Sequence, residues 1–254
     1  MSAQEDSHFT RQQWLEGLLP EINSARSVLA TADRLLRQDG ALERDLDAVV
    51  ATYAIGIERL EKLALGTAAV SKGEDWPAAM GLTRKGWGHA LDDMDQRLRG
   101  ELRERIESGD WERATMLKSW ICTIDNDPVW QAVVSALRNY ADNGRYHHLD
   151  LISGREIKSK SSWEMWEIVE RAAIAADPSL AEHYQRTEEV AALAPFEQRL
   201  RAAVADSIKR WVTIICLFGF HGVLGEDWKK LGAAALPDDA LPVRPLPECE
   251  DAAR

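Results

Sequence analysis

Cysteine and recognisable catalytic motifs are scarce in this sequence. Of its 254 residues only Cys122, Cys216 and Cys249 are cysteines, odd in number, far apart and without a C-x-x-C pair. This spacing indicates neither a disulfide framework nor a cysteine zinc site. The chain also lacks a His-Asp dipeptide, a glycine-rich phosphate loop and a Gly-x-Ser-x-Gly turn. We therefore expect no metal and no cofactor.

Basic residues are also fewer than acidic ones. Asp and Glu number 42 against 31 Lys and Arg, which gives a formal net charge of −11. Proteins that coat nucleic acid without regard to sequence need many cations to neutralise phosphates. The balance therefore argues against broad DNA coating, although it leaves room for a local basic patch.

Long apolar runs are missing as well. The longest, residues 211–224, contains a threonine and a histidine and falls short of the ~20 residues that cross a bilayer. The first residues, MSAQEDSHFTRQQW, are polar and acidic and lack the apolar core of a signal peptide. We expect no membrane partner and a cytoplasmic location.

Strand patterns and fixed-period repeats are absent, and the periodicity is helical almost throughout. Apolar residues recur every three or four positions, as on one face of an amphipathic helix. Gly66 is a plausible helix stop. Asp127 is expected to cap a helix that begins at Pro128, and Ser161 with Glu164 forms a capping box. We predict an all-α bundle of about seven to eight helices, over residues 22–36, 42–66, 91–106, 111–124, 128–140, 161–176 and 179–193 and from 195 onwards.

The predicted organisation is a single helical domain followed by a tail. Residues 1–232 form the bundle, with a core at about 40–150 and C-terminal helices at 161–224 packed on it. Residues 66–88 and 143–162 interrupt the helical pattern. Residues 233–254 hold four of the nine prolines with five acidic and two basic residues. This composition predicts a disordered, solvated tail or a partner-docking segment.

Tryptophan is the abundant aromatic, with 10 residues against 4 Tyr and 4 Phe. Trp111, Trp130 and Trp163 fall in the first turns of predicted helices, and Trp166 follows three residues after Trp163. Their spacing matches the apolar faces, which favours packing in the bundle over a stacking platform for bases. His221, within an apolar run, is likewise expected to be a core or helix-end histidine.

The first candidate site is the pair Arg84 and His89. If a helix begins near residue 88, the helix dipole disfavours protonation of His89, whereas Asp92 and Asp93 favour it. A histidine under opposed influences can exchange a proton near neutral pH, and Arg84 could hold a phosphate or a developing negative charge. The alternative is structural: His89 caps or packs at a helix start and Arg84 is solvated.

The second candidate site lies in residues 143–162, which carry a local charge of +2 from four basic and two acidic residues. An aromatic ring beside an arginine and two histidines could stack a base and contact phosphate. The phosphate- or RNA-binding candidates are Arg145, Tyr146, His147, His148 and Lys158. The alternative is a connecting loop in which Arg145 pairs with acidic neighbours and Tyr146 packs on the bundle.

Three segments carry a family resemblance: YAIGIERLEKLALG (residues 53–66), KGWGHALDDMDQRL (85–98) and GRYHHLD (144–150). They resemble the HEPN superfamily of prokaryotic helical bundles, over about residues 40–150. The resemblance implies an all-α, often dimeric protein of a toxin–antitoxin or phage-defence system. Active members are metal-independent ribonucleases with an Arg-x4–6-His motif, which only Arg84 and His89 fit here.

Two functions remain open from the sequence. In the first, the chain is an RNA-cleaving effector in which His89 acts as general base on a ribose 2′-hydroxyl and Arg84 stabilises the charge at phosphorus, across a homodimer. In the second, it is a non-catalytic helical interaction module, a structural or neutralising subunit with a protein partner. The net charge, the acidic tail and the lack of a strong motif favour the second.

Overall fold

The computed structural model describes residues 8–76, 90–109, 112–142, 144–154, 156, 159–185, 190–240, 243 and 249. These residues form ten α-helices and no strand, which confirms the all-α prediction. The predicted number of about seven to eight helices is too low. A π-helical turn (Gln13–Leu18) precedes the first helix. The helices are α1 (Leu19–Arg37), α2 (Ala41–Ser71), α3 (Leu91–Ser108), α4 (Ala114–Asp125), α5 (Pro128–Asp142), α6 (His147–Ile152), α7 (Ser162–Ala176), α8 (Pro178–Tyr184), α9 (Val190–Phe220) and α10 (Glu226–Ala235).

Two helix starts follow the predicted capping chemistry. The Asp127 carboxylate accepts hydrogen bonds from the backbone N–H groups of Val129 and Trp130 at the start of α5. At the start of α7, the Ser161 hydroxyl accepts from the Glu164 N–H while the Glu164 carboxylate accepts from the Ser161 N–H. Both caps satisfy backbone donors that a helix leaves free at its first turn.

The N-terminal hairpin pairs α1 with α2 through residues 38–40. Gly40 takes a positive φ of 65° there, in the left-handed region that glycine adopts without strain. The predicted stop at Gly66 is wrong, because α2 continues to Ser71. Gly66 instead leaves room for a ring: a Cβ at this position would lie 2.4 Å from the Trp76 side chain.

The C-terminal hairpin pairs α9 with α10. Helix α9 begins at Val190, five residues before the predicted start, and keeps Pro195 inside it. The preceding helix is correspondingly short: α8 covers Pro178–Tyr184 instead of the predicted 179–193. Pro195 is the sixth residue of α9, past the first turn, so it removes one backbone hydrogen bond that the helix would otherwise make.

The core lies where α2, α3, α5 and α9 meet. Most of the described tryptophans serve packing, as predicted, and the rings of Trp130 and Trp211 lie 5.8 Å apart. Each of these two indoles donates a hydrogen bond to a buried carboxylate, Trp130 to Asp95 and Trp211 to Glu61, both at 3.0 Å. His221 is half-buried just after α9, with its ring 5.7 Å from that of Trp120.

The described part of the predicted tail packs on the bundle. Helix α10 runs through the proposed boundary at residue 232, and Leu236 and Val243 pack against the core. The cysteine spacing gave no indication of a disulfide, and this prediction is wrong. Cys122 on α4 is bonded to buried Cys249, 127 residues later. Disulfides form mainly in oxidising compartments, so this bond does not favour the expected cytoplasmic location.

Within the described ranges, no helix combines the length and the apolar character that a membrane span requires.

Candidate functional site

Three of the predicted site residues, Arg84, His89 and Lys158, lie outside the described residues. The other four, Arg145, Tyr146, His147 and His148, are described and are consecutive. Their surface, together with the neighbouring ends of α2, α3 and α7, is the candidate functional site.

A compact 3-10 turn, residues 144–146, leads directly into α6 and positions the first two of these side chains. Only glycine fits at position 144, where the backbone passes close to that of Asn139: a Cβ there would lie 2.9 Å from the Asn139 carbonyl oxygen. The Arg145 guanidinium stacks over the Tyr146 ring at 4.8 Å, and Tyr146 is 48% exposed. Arg145 and Tyr146 therefore form a cation–aromatic pair that is exposed to solvent.

The two histidines differ in what their rings contact. Nδ1 of His147 lies 3.0 Å from the carbonyl oxygen of Ser159. Because a carbonyl only accepts, Nδ1 carries the proton in this contact, and in the neutral ring Nε2 is left as an acceptor. His148 is exposed, and its ring meets that of His147 edge to face at 5.2 Å.

An open hollow of about 300 Å³ adjoins His148 and is bordered by the starts of α2 and α7. Trp163 borders it and is 46% exposed, so the packing role expected for this tryptophan is not what the structure shows. No sequence signal separates Trp163 from Trp166, which is buried three residues later on the same helix. The other bordering residues are Arg44, Asp45, Leu46, Asp47, Ala48 and Ser162.

The charge of this surface is mixed. Arg44 donates hydrogen bonds to the backbone carbonyls of Asp39 and Gly40, so its guanidinium is partly satisfied within the turn. Asp45 and Asp47 lie in the same hollow. Such a surface suits a few phosphate contacts rather than a long track of them.

The start of α3 lies beside the end of α5. Arg138 pairs with Asp92 and Asp142 and lies 3.8 Å from Asp93. Hydrogen bonding to Asp142 and the charge of Asp92 raise the pKa of Arg138 against the opposing effect of burial. The first described residues after the Arg84–His89 motif, 90–93, are thereby linked to the helix that leads into the 144–146 turn. Arg138 lies six residues before Gly144, so this contact joins the start of α3 to the C-terminal half of α5.

The described residues contain no set of three His, Cys, Asp or Glu side chains close enough to hold a metal ion. Sequence reasoning did miss a different acidic feature, the buried pair Glu61 and Asp95 in the core. Burial raises the pKa of Glu61 well above its ordinary value, and the negative charge of Asp95 adds to the effect. Burial also raises the pKa of Asp95, with Arg99 opposing.

The buried carboxyl group of Glu61 gives a stability prediction. The folded state holds the Glu61 proton to higher pH than the unfolded chain does, so folded protein binds more protons above about pH 4.5. We expect the free energy of unfolding to fall as the pH rises through this window. Glu61→Gln keeps an acceptor for Trp211 and removes the titration, so its unfolding free energy should depend less on pH and exceed that of the unmodified chain at pH 8.

Urea unfolding followed by Trp fluorescence between pH 4 and pH 8 measures this effect. Glu107→Gln is the matched control, because Glu107 is an exposed carboxylate on α3. A pH dependence identical in Glu61→Gln and the unmodified chain would refute the assignment of the titration to Glu61.

Comparison of the chain with protein-family models, with curated proteins and with solved structures found no match.

Proposed function

We propose that the protein binds single-stranded RNA at the Arg145–His148 surface and cleaves it without a metal ion. The observation that carries the proposal is the solvent-exposed stack of Arg145 on Tyr146 beside His148 and the Trp163 hollow. Exposed rings accept bases by stacking, and cations beside them contact the phosphates between those bases. The mixed charge of the surface favours a short RNA segment over a long one.

The proposed reaction follows from the roles of Arg84 and His89. His89 removes the proton from a ribose 2′-hydroxyl, and the 2′-oxygen then attacks the adjacent phosphorus. The P–O5′ bond breaks, leaving a 2′,3′-cyclic phosphate and a 5′-hydroxyl whose proton is returned through solvent. Arg84 stabilises the additional negative charge at phosphorus in the transition state.

Binding and cleavage are tested separately. Arg145→Ala/Tyr146→Ala is expected to weaken binding of a labelled single-stranded RNA about tenfold or more, because a base–aromatic stack contributes about 1–3 kcal/mol. His89→Ala and Arg84→Ala should bind RNA as before and lose cleavage. Fluorescence anisotropy measures binding, and gel analysis in the presence of EDTA measures cleavage.

A matched control removes an exposed arginine and an exposed tyrosine from another face. Arg171 on α7 and Tyr184 on α8 have exposed side chains. Arg171→Ala/Tyr184→Ala should leave RNA affinity unchanged. Equal affinity of the Arg145→Ala/Tyr146→Ala variant and the unmodified chain would refute RNA binding at this surface. Unchanged cleavage by His89→Ala would refute the catalytic assignment alone.

A non-catalytic interaction module is the second candidate, and one observation favours it. Helix α6 leaves Leu149, Leu151 and Ile152 exposed by 62%, 57% and 82%. Contiguous exposed apolar side chains are typical of protein contact surfaces. Self-association in size-exclusion chromatography without any RNA binding would support this candidate over the ribonuclease.

A further inference from the structure

A cleft on another face of the bundle has the features of a ligand site. It opens between α1, α2 and α9, has a volume of about 200 Å³, and is partly covered by the segment that follows α10. Its walls are largely aliphatic, formed by Leu29, Ala30, Ile208, Val212, Ala235 and Pro237. This volume lies below the ~300 Å³ at which pockets for drug-sized ligands begin, so the cleft suits a small molecule.

Tyr53 contributes an unusual polar group to this cleft. The residue is 2% exposed, and its hydroxyl has no hydrogen-bond partner among the described residues. Burial raises the pKa of Tyr53, and the charge of Asp33, which also lines the cleft, raises it further. The hydroxyl therefore keeps its proton and is a donor without an acceptor. Buried polar groups are rarely left so, which points to a missing acceptor.

Two cations line the same cleft, and each is paired with an exposed carboxylate of the covering segment. Lys209, whose side chain is only 8% exposed, lies 2.6 Å from Asp239 and 3.5 Å from Asp33. Arg26 pairs with Asp238. The side chains of Asp238 and Asp239 are 93% and 74% exposed. Because both carboxylates are exposed, they can move from the cations into water at little desolvation cost, so a ligand carboxylate can replace them.

The third carboxylate of the cleft, that of Asp33, is paired with an arginine of its own helix, α1. Asp33 accepts from Arg37 at 3.0 Å, and Arg37 also pairs with Asp206 at 2.6 Å. If the two covering carboxylates swing away, the cations of Arg26, Arg37 and Lys209 remain beside the carboxylates of Asp33 and Asp206, which leaves one net positive charge at the cleft. The displaced state is therefore selective for anions.

We infer that the cleft binds a small organic carboxylate with an apolar body. Its carboxylate replaces that of Asp239 on Lys209 and accepts a hydrogen bond from the Tyr53 hydroxyl, while the body lies against the aliphatic walls. Arg26, released from Asp238, adds a second cation at the mouth. The covering segment then acts as an internal competitor, because its two aspartates occupy the cations when no ligand is present.

Calorimetric titration of the full chain with benzoate and with hexanoate tests this inference. Benzyl alcohol supplies an apolar body without charge, and acetate supplies the charge without the body. We expect benzoate or hexanoate to bind, and both control compounds to bind at least tenfold more weakly. Equal binding of acetate and hexanoate, or of benzyl alcohol and benzoate, would overturn the proposed chemistry.

Two variants assign the binding to this cleft. Tyr53→Phe removes a hydroxyl that has no partner among the described residues, so the fold should be retained. Affinity for benzoate or hexanoate should fall about tenfold, because the ligand carboxylate loses a hydrogen bond. Asp238→Asn/Asp239→Asn removes the competing carboxylates and should raise affinity by up to about tenfold.

The matched control is Glu74→Gln/Asp75→Asn, which removes two negative charges from an exposed turn after α2 and should leave affinity unchanged. Thermal melts confirm that each variant is folded. The inference is wrong if neither probe binds Asp238→Asn/Asp239→Asn at millimolar concentration, or if Tyr53→Phe binds as tightly as the unmodified chain.

Discussion

Replacing Arg99 with methionine is expected to lower the free energy of unfolding by about 3–5 kcal/mol, the cost of leaving one member of a buried ion pair without its partner. Arg99 pairs with Asp95, whose side chain is 1% exposed, and with Asp125 at 2.8 Å. Without the guanidinium, Asp95 keeps only the hydrogen bond from Trp130. A carboxylate with so few partners in the core is costly because water no longer solvates it.

Arg103 provides the control for this prediction. It pairs with the same Asp125, but its own side chain is 44% exposed. Arg103→Met should therefore cost no more than about 1 kcal/mol, the value of a surface ion pair. The double variant Asp95→Asn/Arg99→Met removes the unpaired charge and should recover part of the loss.

Chemical unfolding at two pH values completes the test. In Arg99→Met the pKa of Asp95 rises further, because the cation that opposed the effect of burial is gone. A carboxyl group with a raised pKa in the folded state makes the protein less stable as the pH increases. The loss of unfolding free energy in Arg99→Met should therefore be larger at pH 8 than at pH 4. Similar losses for Arg99→Met and Arg103→Met at pH 8 would contradict the special position of Arg99.

The second large effect is expected from the Cys122–Cys249 disulfide. Reducing it, or replacing Cys249 with serine, should lower the free energy of unfolding by about 2–4 kcal/mol. The bond joins residues 127 apart, and without it the unfolded chain regains the freedom that this closed loop removes. Urea midpoints with and without dithiothreitol measure the difference.

Cys249→Ser is its own control for the reductant, since its urea midpoint should no longer respond to dithiothreitol. Cys216, which takes no part in the bond, is buried, and burial raises the pKa of its thiol to about 12, so it stays an unreactive thiol. Equal midpoints for the oxidised and reduced protein would show that the bond adds nothing to stability.

Much of the fold was accessible from the sequence because its signals are local. The caps at Asp127 and Ser161 depend on residues two or three positions away, and both are confirmed. Helix α6 was missed, because its six residues are too few to show a periodic apolar face and none of them is buried. The prediction that a helix stops at Gly66 is wrong, because the glycine instead makes room for the Trp76 ring, which lies ten residues later in the sequence.

The candidate functional site and the cleft differ in the same respect, since only the first is carried by neighbouring residues of the sequence. Arg145 and Tyr146 are adjacent, so the sequence singled them out together, although it did not predict that the guanidinium stacks on the ring. The cleft could not, because Tyr53 shows the periodic spacing of a core residue, and only the tertiary fold sets it beside Lys209. Pairing of Cys122 with Cys249 depends on where α4 lies relative to the last described residues, which spacing along the chain does not encode.

The contact between Glu61 and Trp211 also bears on the order of events during synthesis. The two residues are 150 positions apart, so at about 5–20 residues per second Trp211 is made about 8–30 s after Glu61. Helices α1 and α2 can pair in that interval, whereas the face of α2 that holds Glu61 remains in water. Arrival of α9 expels that water, and this step takes up a proton wherever the pH lies between the pKa of Glu61 in the unfolded chain and its higher pKa in the folded protein.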